Sequence, residues 1–466
     1  MLSSYYVYDD LGNLCFVLPP AAGPDVISSA QTQATIDYRC YQYRYDERNR
    51  LVQKKVPSKG WEYIIYNKLD QPVATQDSVQ RMKVPQQWTI TKYDAMGRTV
   101  LTGIYQHTGT TAGTDTHAAI QAIADTTGAQ WETPVSTGNG YTANTWPKTW
   151  TTTLSVNYYD SYTGIPGFPS AYDQAANAAY SKQTTGLLTA SKTLVLNTTG
   201  DYLWSVPYYD DEGKTVRTFS QHYVGGATTL NPYNYDDVQT TYNFLKLPTM
   251  VRRFHYLKNA GGTAGTLSLT ETNYYSYDHM GRKLGTGHQM RDGSNPSQAM
   301  VLLARSDYNE TGQLRFKRLH SINNGTNWLQ WIDYRYNPRG WLTNINNANL
   351  SNDGGLTSND ANDKFGEELS YDGSTTASPQ YNGNIATVQW KSAPYVAGAA
   401  TVTPVKQTYD YGYDHLNRLT AAVSTTTTAN PKDNFYGENV TYDNMGNISS
   451  LGRYDNIGNA RTQIVR

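Results

Sequence analysis

Apolar residues occur in short blocks along the chain. Stretches such as WTITKY (88–93), TNYYSY (272–277) and NVTY (439–442) have the composition of strands. Each runs into a polar turn, after which an apolar residue restarts the pattern. No apolar run approaches the ~20 residues needed to cross a bilayer, so no membrane span is expected. The start, MLSSYYVYDD, has no basic n-region and no apolar h-region, so no signal peptide is expected in this chain.

The turn between blocks is one phrase, reused. It reads YDDLGNL at 8–14, YDERNRL at 45–51, YDAMGRTV at 93–100, YDDEGKTV at 209–216 and YDHMGRKL at 277–284. It returns as YNETGQL at 308–314, YNPRGWL at 336–342, YDHLNRL at 413–419, YDNMGNI at 442–448 and YDNIGNA at 454–460. Looser relatives are YNKLDQP at 66–72, YDSYTG at 159–164 and YNGNI at 381–385. The Asp or Asn after the Tyr can bond backbone N–H groups ahead and start a turn. Gly three positions later, or Asn49 and Asn417 in two copies, tolerates the positive φ such a turn needs. An Arg, Lys or Asn follows in most copies. The turn positions are Tyr8, Asp9, Gly12; Tyr45, Asp46; Tyr93, Asp94, Gly97; Tyr209, Asp210, Gly213; Tyr277, Asp278, Gly281; Tyr308, Gly312; Tyr336, Gly340; Tyr413, Asp414; Tyr442, Asp443, Gly446; and Tyr454, Asp455, Gly458.

Each unit therefore reads as a strand–turn–strand hairpin, and the fold class as all-β: a long sheet of hairpins with short helical insertions. Spacings are 37, 21 and 27 residues along Tyr8, Tyr45, Tyr66 and Tyr93, 31 and 28 along Tyr277, Tyr308 and Tyr336, and 29 from Tyr413 to Tyr442. A fixed turn at variable spacing points to hairpins of variable length laid side by side, with the tyrosines packing as a ladder across strands. The organisation expected is hairpins over 1–106, a Thr/Gly/Ala-rich insertion over 107–150 and further hairpins over 151–466. THAAIQAIAD (116–125) and AYDQAANAAYSK (171–182) are helix candidates, and 351–363 and 424–433 are polar loops.

Composition refines this. The 466 residues include 40 Tyr and 38 Gly, with 38% hydrophobic and 17% charged, low on both counts for an ordinary globular domain. A sheet with much wetted surface, in which Tyr supplies an apolar ring and a polar tip, accounts for it, and no thick core is expected. The formal charge is -1, which lacks the basic excess of nucleic-acid binders. Cys15 and Cys40 are the two cysteines; they form one bridge or stay thiols, and two cannot build a Cys-based zinc site.

Residues of chemical type are many but form no recognisable catalytic or ligand pattern in the sequence. His107, His117, His222, His255, His279, His288, His320 and His415 are scattered without HExxH; His107 and His117 are expected at the surface. Asp353, Asp360, Asp363, Glu367 and Glu368 form an acidic stretch that fails the EF-hand pattern, with Lys364 where a ligand is wanted. The GNG at 138–140 lacks a phosphate-loop context, and no GxSxG occurs. No catalytic residue, cofactor site or metal ligand is assigned. Trp61, Trp88, Trp131, Trp146, Trp150, Trp328, Trp331 and Trp341 either stack on sugars or pack under loops.

The turns resemble the YD repeat of the Rhs (rearrangement hotspot) family, distantly related to teneurins, over about residues 5–460. YYVYDDLGNLCFVLPP, YQYRYDERNRLVQKKVPSKGWEYIIYNKLDQPVATQDS, WTITKYDAMGRTVLTGIY, DYRYNPRGWLTNIN and KFGEELSYDG resemble Rhs proteins of Bacteroidetes-type bacteria in particular. The resemblance implies a spiralling sheet that closes into a hollow shell. In polymorphic-toxin members the shell holds a C-terminal toxin behind a core region with a DPxG motif. Here there is no Asp-Pro dipeptide, and the chain ends six residues past its last YD copy. The expectation is a shell wall without its plug or cargo, prone to self-association through unpaired end strands. Its partner would be its own C-terminal toxin and core region in a longer, secreted or cell-surface protein. The rival readings are a surface adhesin or carbohydrate-binding module, with surface glycans as partner, and a sugar-active enzyme with unmarked carboxylates.

Overall fold

The structure is a computed structural model that describes residues 3–25, 32–107, 116–198, 200–224, 230–293, 298–351, 363–374, 376–393, 405–426, 437–454 and 460–463, without the side chains of 425, 426 and 460–463. Among these residues it is an all-β chain of 27 strands with three short α-helices. It divides into two units, Met1–Thr241 with Arg252–Thr270, and Tyr242–Val251 with Glu271–Arg466.

In the first unit, the strands from Tyr5–Tyr8 to Tyr235–Tyr242 form an antiparallel meander, each pairing with its neighbours in sequence. The same holds in the second unit from Lys283–Asp292 to Ala460–Gln463. The repeated turn always closes the same kind of hairpin. Its Tyr faces the residue six positions on, as in Tyr45↔Leu51, Tyr93↔Thr99 and Tyr413↔Leu419, with a register shift just before it. A bulge at that point adds twist to the pair. Most of the variable spacing comes from the other sheet edge, where connections hold helix Gln33–Arg39, helix Ser78–Arg81 and helix His117–Asp125.

The expectation of a thin core needs correction in the first unit. Strand Gln86–Tyr93 alternates buried and half-buried positions along its whole length, so Trp88 and Ile90 point to one face. That face is covered. Ile65, Val73, Ala74, Trp88 and Ile90 pack with Ile120 and Ala124 of helix His117–Asp125 and with Trp146. A second cluster joins Val100, Leu101, Val156, Tyr158, Trp204, Val206, Tyr208 and Phe219 to Tyr172 of the 160–187 loop. Each large side chain so buried contributes ~1.5–3 kcal/mol. The insertions thus supply the second layer that the aliphatic-poor strands lack. In the second unit strands Val301–Tyr308 and Ile448–Tyr454 bury no residue fully, whereas other strands bury single residues such as Phe316, Val388 and Val440.

Of the two helix candidates, one forms. Helix His117–Asp125 starts at Thr116, whose hydroxyl accepts the Ala119 N–H. The 171–182 stretch makes only a 3-10 turn at Ser170–Tyr172. Asp173 and Asn177 accept the N–H groups of Ala175 and Ala179 at 2.9 and 3.0 Å, and these local bonds compete with a helix. The 351–363 and 424–433 loops lie largely outside the described residues, although Ser424 belongs to strand Leu419–Thr426. Cys15 and Cys40 are both free thiols.

Candidate functional site

The repeated turn is a hydrogen-bonded cage around one carboxylate. In the copy at Tyr93, Asp94 Oδ1 accepts the N–H groups of Met96 and Arg98, both at 2.9 Å, and Oδ2 accepts Arg98 Nε at 2.6 Å. The Asp94 N–H donates to Arg98 O at 3.0 Å, and Asp94 O accepts the Gly97 N–H at 3.0 Å. The pattern recurs at Asp46, Asp278 and Asp414 with Arg50, Arg282 and Arg418. At Asp9 and Asp443 an Asn side chain replaces the Arg. Asp210 keeps the two N–H bonds, from Glu212 and Lys214. In the Asn copies, Asn309 and Asn337 accept the N–H groups of Gln313 and Trp341 at 2.8 and 3.0 Å.

The fourth position, counted from the Asp or Asn, is left-handed in every copy among the described residues: Gly281 has φ 79°, Asn49 57° and Asn417 62°. Burial works against the charge of Asp46, but the Arg50 amide and guanidinium outweigh it and hold the carboxyl below its ordinary value. Asp278 and Asp414 are likewise held low by their arginines.

One copy escaped the sequence reading. YNFLKLP at 242–248 forms the same turn, with Asn243 Oδ1 accepting the Leu247 N–H at 2.9 Å. Its left-handed residue is Lys246, φ 61°, a side chain that gives no turn signal in sequence. The YNKLDQP copy at 66–72 is also a full turn, built on Asn67. The other two looser relatives are not. Asp160 opens the long 160–187 connection and accepts both terminal nitrogens of Arg98, at 3.0 and 2.7 Å. YNGNI at 381–385 lies within the connection between strands Phe365–Ser370 and Thr387–Ser392. Asp455 and Gly458 lie outside the described residues; Tyr454 pairs with Ala460 as the phrase predicts.

The tyrosines do more than pack. Ten tyrosines of the array reach the previous hairpin and donate the hydroxyl to a carbonyl at or just before the start of that hairpin's return strand. Tyr45 Oη bonds Leu14 O at 3.1 Å, Tyr66 bonds Leu51 O at 2.9 Å and Tyr93 bonds Pro72 O at 2.8 Å. The series continues with Tyr159 to Thr99, Tyr209 to Leu188, Tyr277 to Pro248, Tyr308 to Lys283, Tyr371 to Leu342, Tyr413 to Ile385 and Tyr442 to Leu419. The link survives where the turn is expanded, at Tyr159 and Tyr371. The turn arginines add a second link. Held by their own Asp, they lie over the next repeat Tyr: Arg50 over Tyr66 at 4.8 Å, Arg98 over Tyr159 at 4.3 Å, Arg282 over Tyr308 at 4.6 Å and Arg418 over Tyr442 at 4.4 Å. Asp, Arg and Tyr thus form a relay from one hairpin to the next. The sequence shows these residue types but gave no role to the arginine.

The other candidates mostly pack. Trp88, Trp146 and Trp328 are buried. Trp61 and Trp331 lie under Arg44 and Arg318 at 4.4 and 4.2 Å, Trp341 packs on Tyr371 at 5.0 Å, and Trp150 lies over Lys92 at 5.0 Å. Trp131 is exposed. His117, expected at the surface, is half-buried, bonding Ile64 O at 2.7 Å; burial pushes its pKa down. His107 bonds the Tyr105 hydroxyl at 3.0 Å. Of the acidic stretch, Asp353 and Asp360 lie outside the described residues, Asp363 is buried, and Glu368 accepts the Ala348 N–H at 3.2 Å. The GNG at 138–140 is a packing turn, with Asn139 O accepting the Tyr158 hydroxyl at 2.9 Å.

Two arrangements had no sequence signal. Lys92 and Glu132 form an ion pair at 2.8 Å with side chains 1% and 0% exposed. Forty residues apart, they meet because the 129–150 segment folds back over strand Gln86–Tyr93. The second joins His222, Asp236 and His255, whose ligand atoms lie within 4.8 Å of one another.

No protein-family model matches the chain, and no curated protein is significantly similar to it. Among solved structures, the chain is similar to one titled the crystal structure of TcdB2-TccC3-TEV, with 12% identity and TM-score 0.38 over 96% of this chain and 19% of that one. It is also similar to a variant Tc holotoxin pore of Photorhabdus luminescens, with 14% identity and TM-score 0.33 over 98% of this chain and 21% of that one. The chain therefore spans about a fifth of those chains' length. Likeness at this level leaves the fold and function to be argued from the chain itself.

Proposed function

We propose that the chain is a non-enzymatic wall segment of the Rhs/YD-repeat type, a β-sheet shell that in the longer protein encloses or presents a C-terminal toxin, secreted or displayed at the cell surface. The observation that carries this reading is the Tyr-to-carbonyl link repeated from hairpin to hairpin. It gives a mechanical purpose to the residues the sequence reuses most. The turn carboxylates support it: each accepts several hydrogen bonds and most face a fixed cation or amide, which fits scaffolding and leaves them poorly placed for acid–base work. The resemblance of the YD phrases supplies the toxin cargo. Among the described residues no helix is long and apolar enough to cross a membrane.

The test is protease protection of the gene product expressed to its natural stop codon. A segment beyond the sheet that resists protease in the native protein, and is digested once the sheet is unfolded, supports the proposal. A product with no such segment, or one digested at the rate of a free chain, refutes it.

A further inference from the structure

The cluster of His222, Asp236 and His255 has the donor set of a transition-metal site. His222 directly follows strand Thr215–Gln221, and its N–H donates to Asn234 O at 3.0 Å. That bond sets it beside Asp236, which the strand register places opposite Ser220. His255 comes from strand Pro248–Lys258, whose Lys258 N–H donates to Asn234 Oδ1 at 2.8 Å. Asn234 thus holds both sides. The two imidazoles lie nearly parallel, with centroids 4.6 Å apart. His255 Nδ1 bonds Asp236 Oδ1 at 2.7 Å, and Arg253 bonds Asp236 Oδ2 at 3.0 Å. Both ring nitrogens of His222 are shielded from solvent with no hydrogen-bond partner. Buried polar atoms are nearly always satisfied, and an unsatisfied one calls for an explanation such as an ion.

We propose that these three side chains bind one divalent transition-metal ion of the zinc class. Two imidazoles and one carboxylate suit Zn²⁺, Co²⁺ or Ni²⁺, leaving at least one position for water. A tetrahedral ion with bonds of about 2.0–2.1 Å needs donors roughly 3.4 Å apart, so separations of up to 4.8 Å must close by up to about 1.4 Å as the rings tilt out of their stack, while the 2.7 Å His255–Asp236 pair opens by about 0.7 Å. The ion takes the place of the hydrogen shared by His255 Nδ1 and Asp236 Oδ1, which moves to Nε2 as the imidazole changes tautomer. Arg253 keeps the other carboxylate oxygen fixed, an outer-shell role common at metal sites. Bound there, the ion ties the end of one strand to two later ones within the first unit. The proposal is independent of the shell reading.

The test is titration of the full chain with Co²⁺ at pH 7.5, followed by visible absorption and thermal melting. The expected result is saturation at one equivalent with a d–d band, and a melting temperature ~5–11 °C higher at a hundredfold excess over Kd. His222→Gln and His255→Gln are expected to weaken binding at least tenfold, whereas His279→Gln, an exposed turn residue, leaves it unchanged. The wild-type titration stands alone should a variant fail to fold. No saturable one-equivalent site in the wild-type chain, or affinity unchanged in a folded His222→Gln or His255→Gln variant, overturns the proposal.

Discussion

Replacing Glu132 by Ala should destabilise the first unit more than any change to the repeated turns. The Lys92 ammonium bonds Glu132 Oε1 at 2.8 Å, Thr145 Oγ1 at 2.9 Å and Thr145 O at 3.2 Å. Glu132 also accepts from the Thr142 hydroxyl, the Asn144 N–H and both the N–H and hydroxyl of Thr145. Burial pushes the Lys92 pKa down against the pull of Glu132. Burial also works to raise Glu132, but Lys92 and the threonine hydroxyls outweigh it and leave the carboxyl below its ordinary value. The three acceptor atoms around Lys92 Nζ, within 3.2 Å, fit an ammonium facing a carboxylate.

With both side chains at most 1% exposed, solvent screening is minimal, and removing one partner strands a buried charge at a cost of ~3–5 kcal/mol. For a unit of this size that lowers the melting temperature by roughly 6–20 °C. Removing both partners, as Lys92→Met with Glu132→Leu, should cost far less, within ~2 kcal/mol of wild type, because a hydrophobic pair of similar volume often replaces a buried ion pair at little loss. Urea unfolding of the four proteins in a double-mutant cycle is the assay. The reasoning is refuted if Glu132→Ala costs less than ~1 kcal/mol, or if the double variant is as unstable as the sum of the singles.

Tyr66→Phe and Tyr93→Phe each remove one inter-hairpin bond and should cost ~0.5–1.5 kcal/mol in urea unfolding; Tyr8→Phe, 58% exposed and with no such bond shown, should be neutral. Lys246→Gly should stabilise by ~0.5–1 kcal/mol by relieving a left-handed non-glycine residue at φ 61°. Gly281→Ala should destabilise instead, since a Cβ there meets Leu247 Cδ1 at 3.3 Å at φ +79°. The carboxyls of Asp46, Asp278, Asp414 and Glu132 are held below their ordinary values. Their contribution is therefore complete above the unfolded carboxylate range and is lost as pH falls through the lower folded values. Acid titration by circular dichroism should show unfolding that begins below about pH 4, and a transition centred near neutrality would contradict the assignment.

Much of this architecture is legible because its geometry is local. Asp94 reaches N–H groups two and four residues ahead, so spacing alone reveals the turn wherever Gly97 or its counterparts mark the left-handed position. When Lys246 fills that position the copy disappears from view. The relay from Arg98 to Tyr159 spans 61 residues, because the insertion between them varies in length while the strands stay adjacent. No periodicity reports such a contact, although the reuse of Arg after Gly hinted at it. Lys92 with Glu132, and His222 with His255, meet only through strand order and folded-back loops. The 171–182 stretch shows the converse failure: alanine content suggested a helix, and Asp173 and Asn177 redirected the backbone. The covered face of the first unit was hidden for a related reason, since its second layer comes from loops of low hydrophobicity that bury single residues such as Ile120, Trp146 and Tyr172.

The most direct test of the wall function is a cryo-electron microscopy map of the whole gene product. The account predicts that the linked hairpins continue into a sheet surrounding density for the downstream polypeptide, with the Tyr66 hydroxyl within hydrogen-bond distance of Leu51 O. A downstream domain lying outside the sheet in solvent, or hairpins that separate without the tyrosine links, would contradict it.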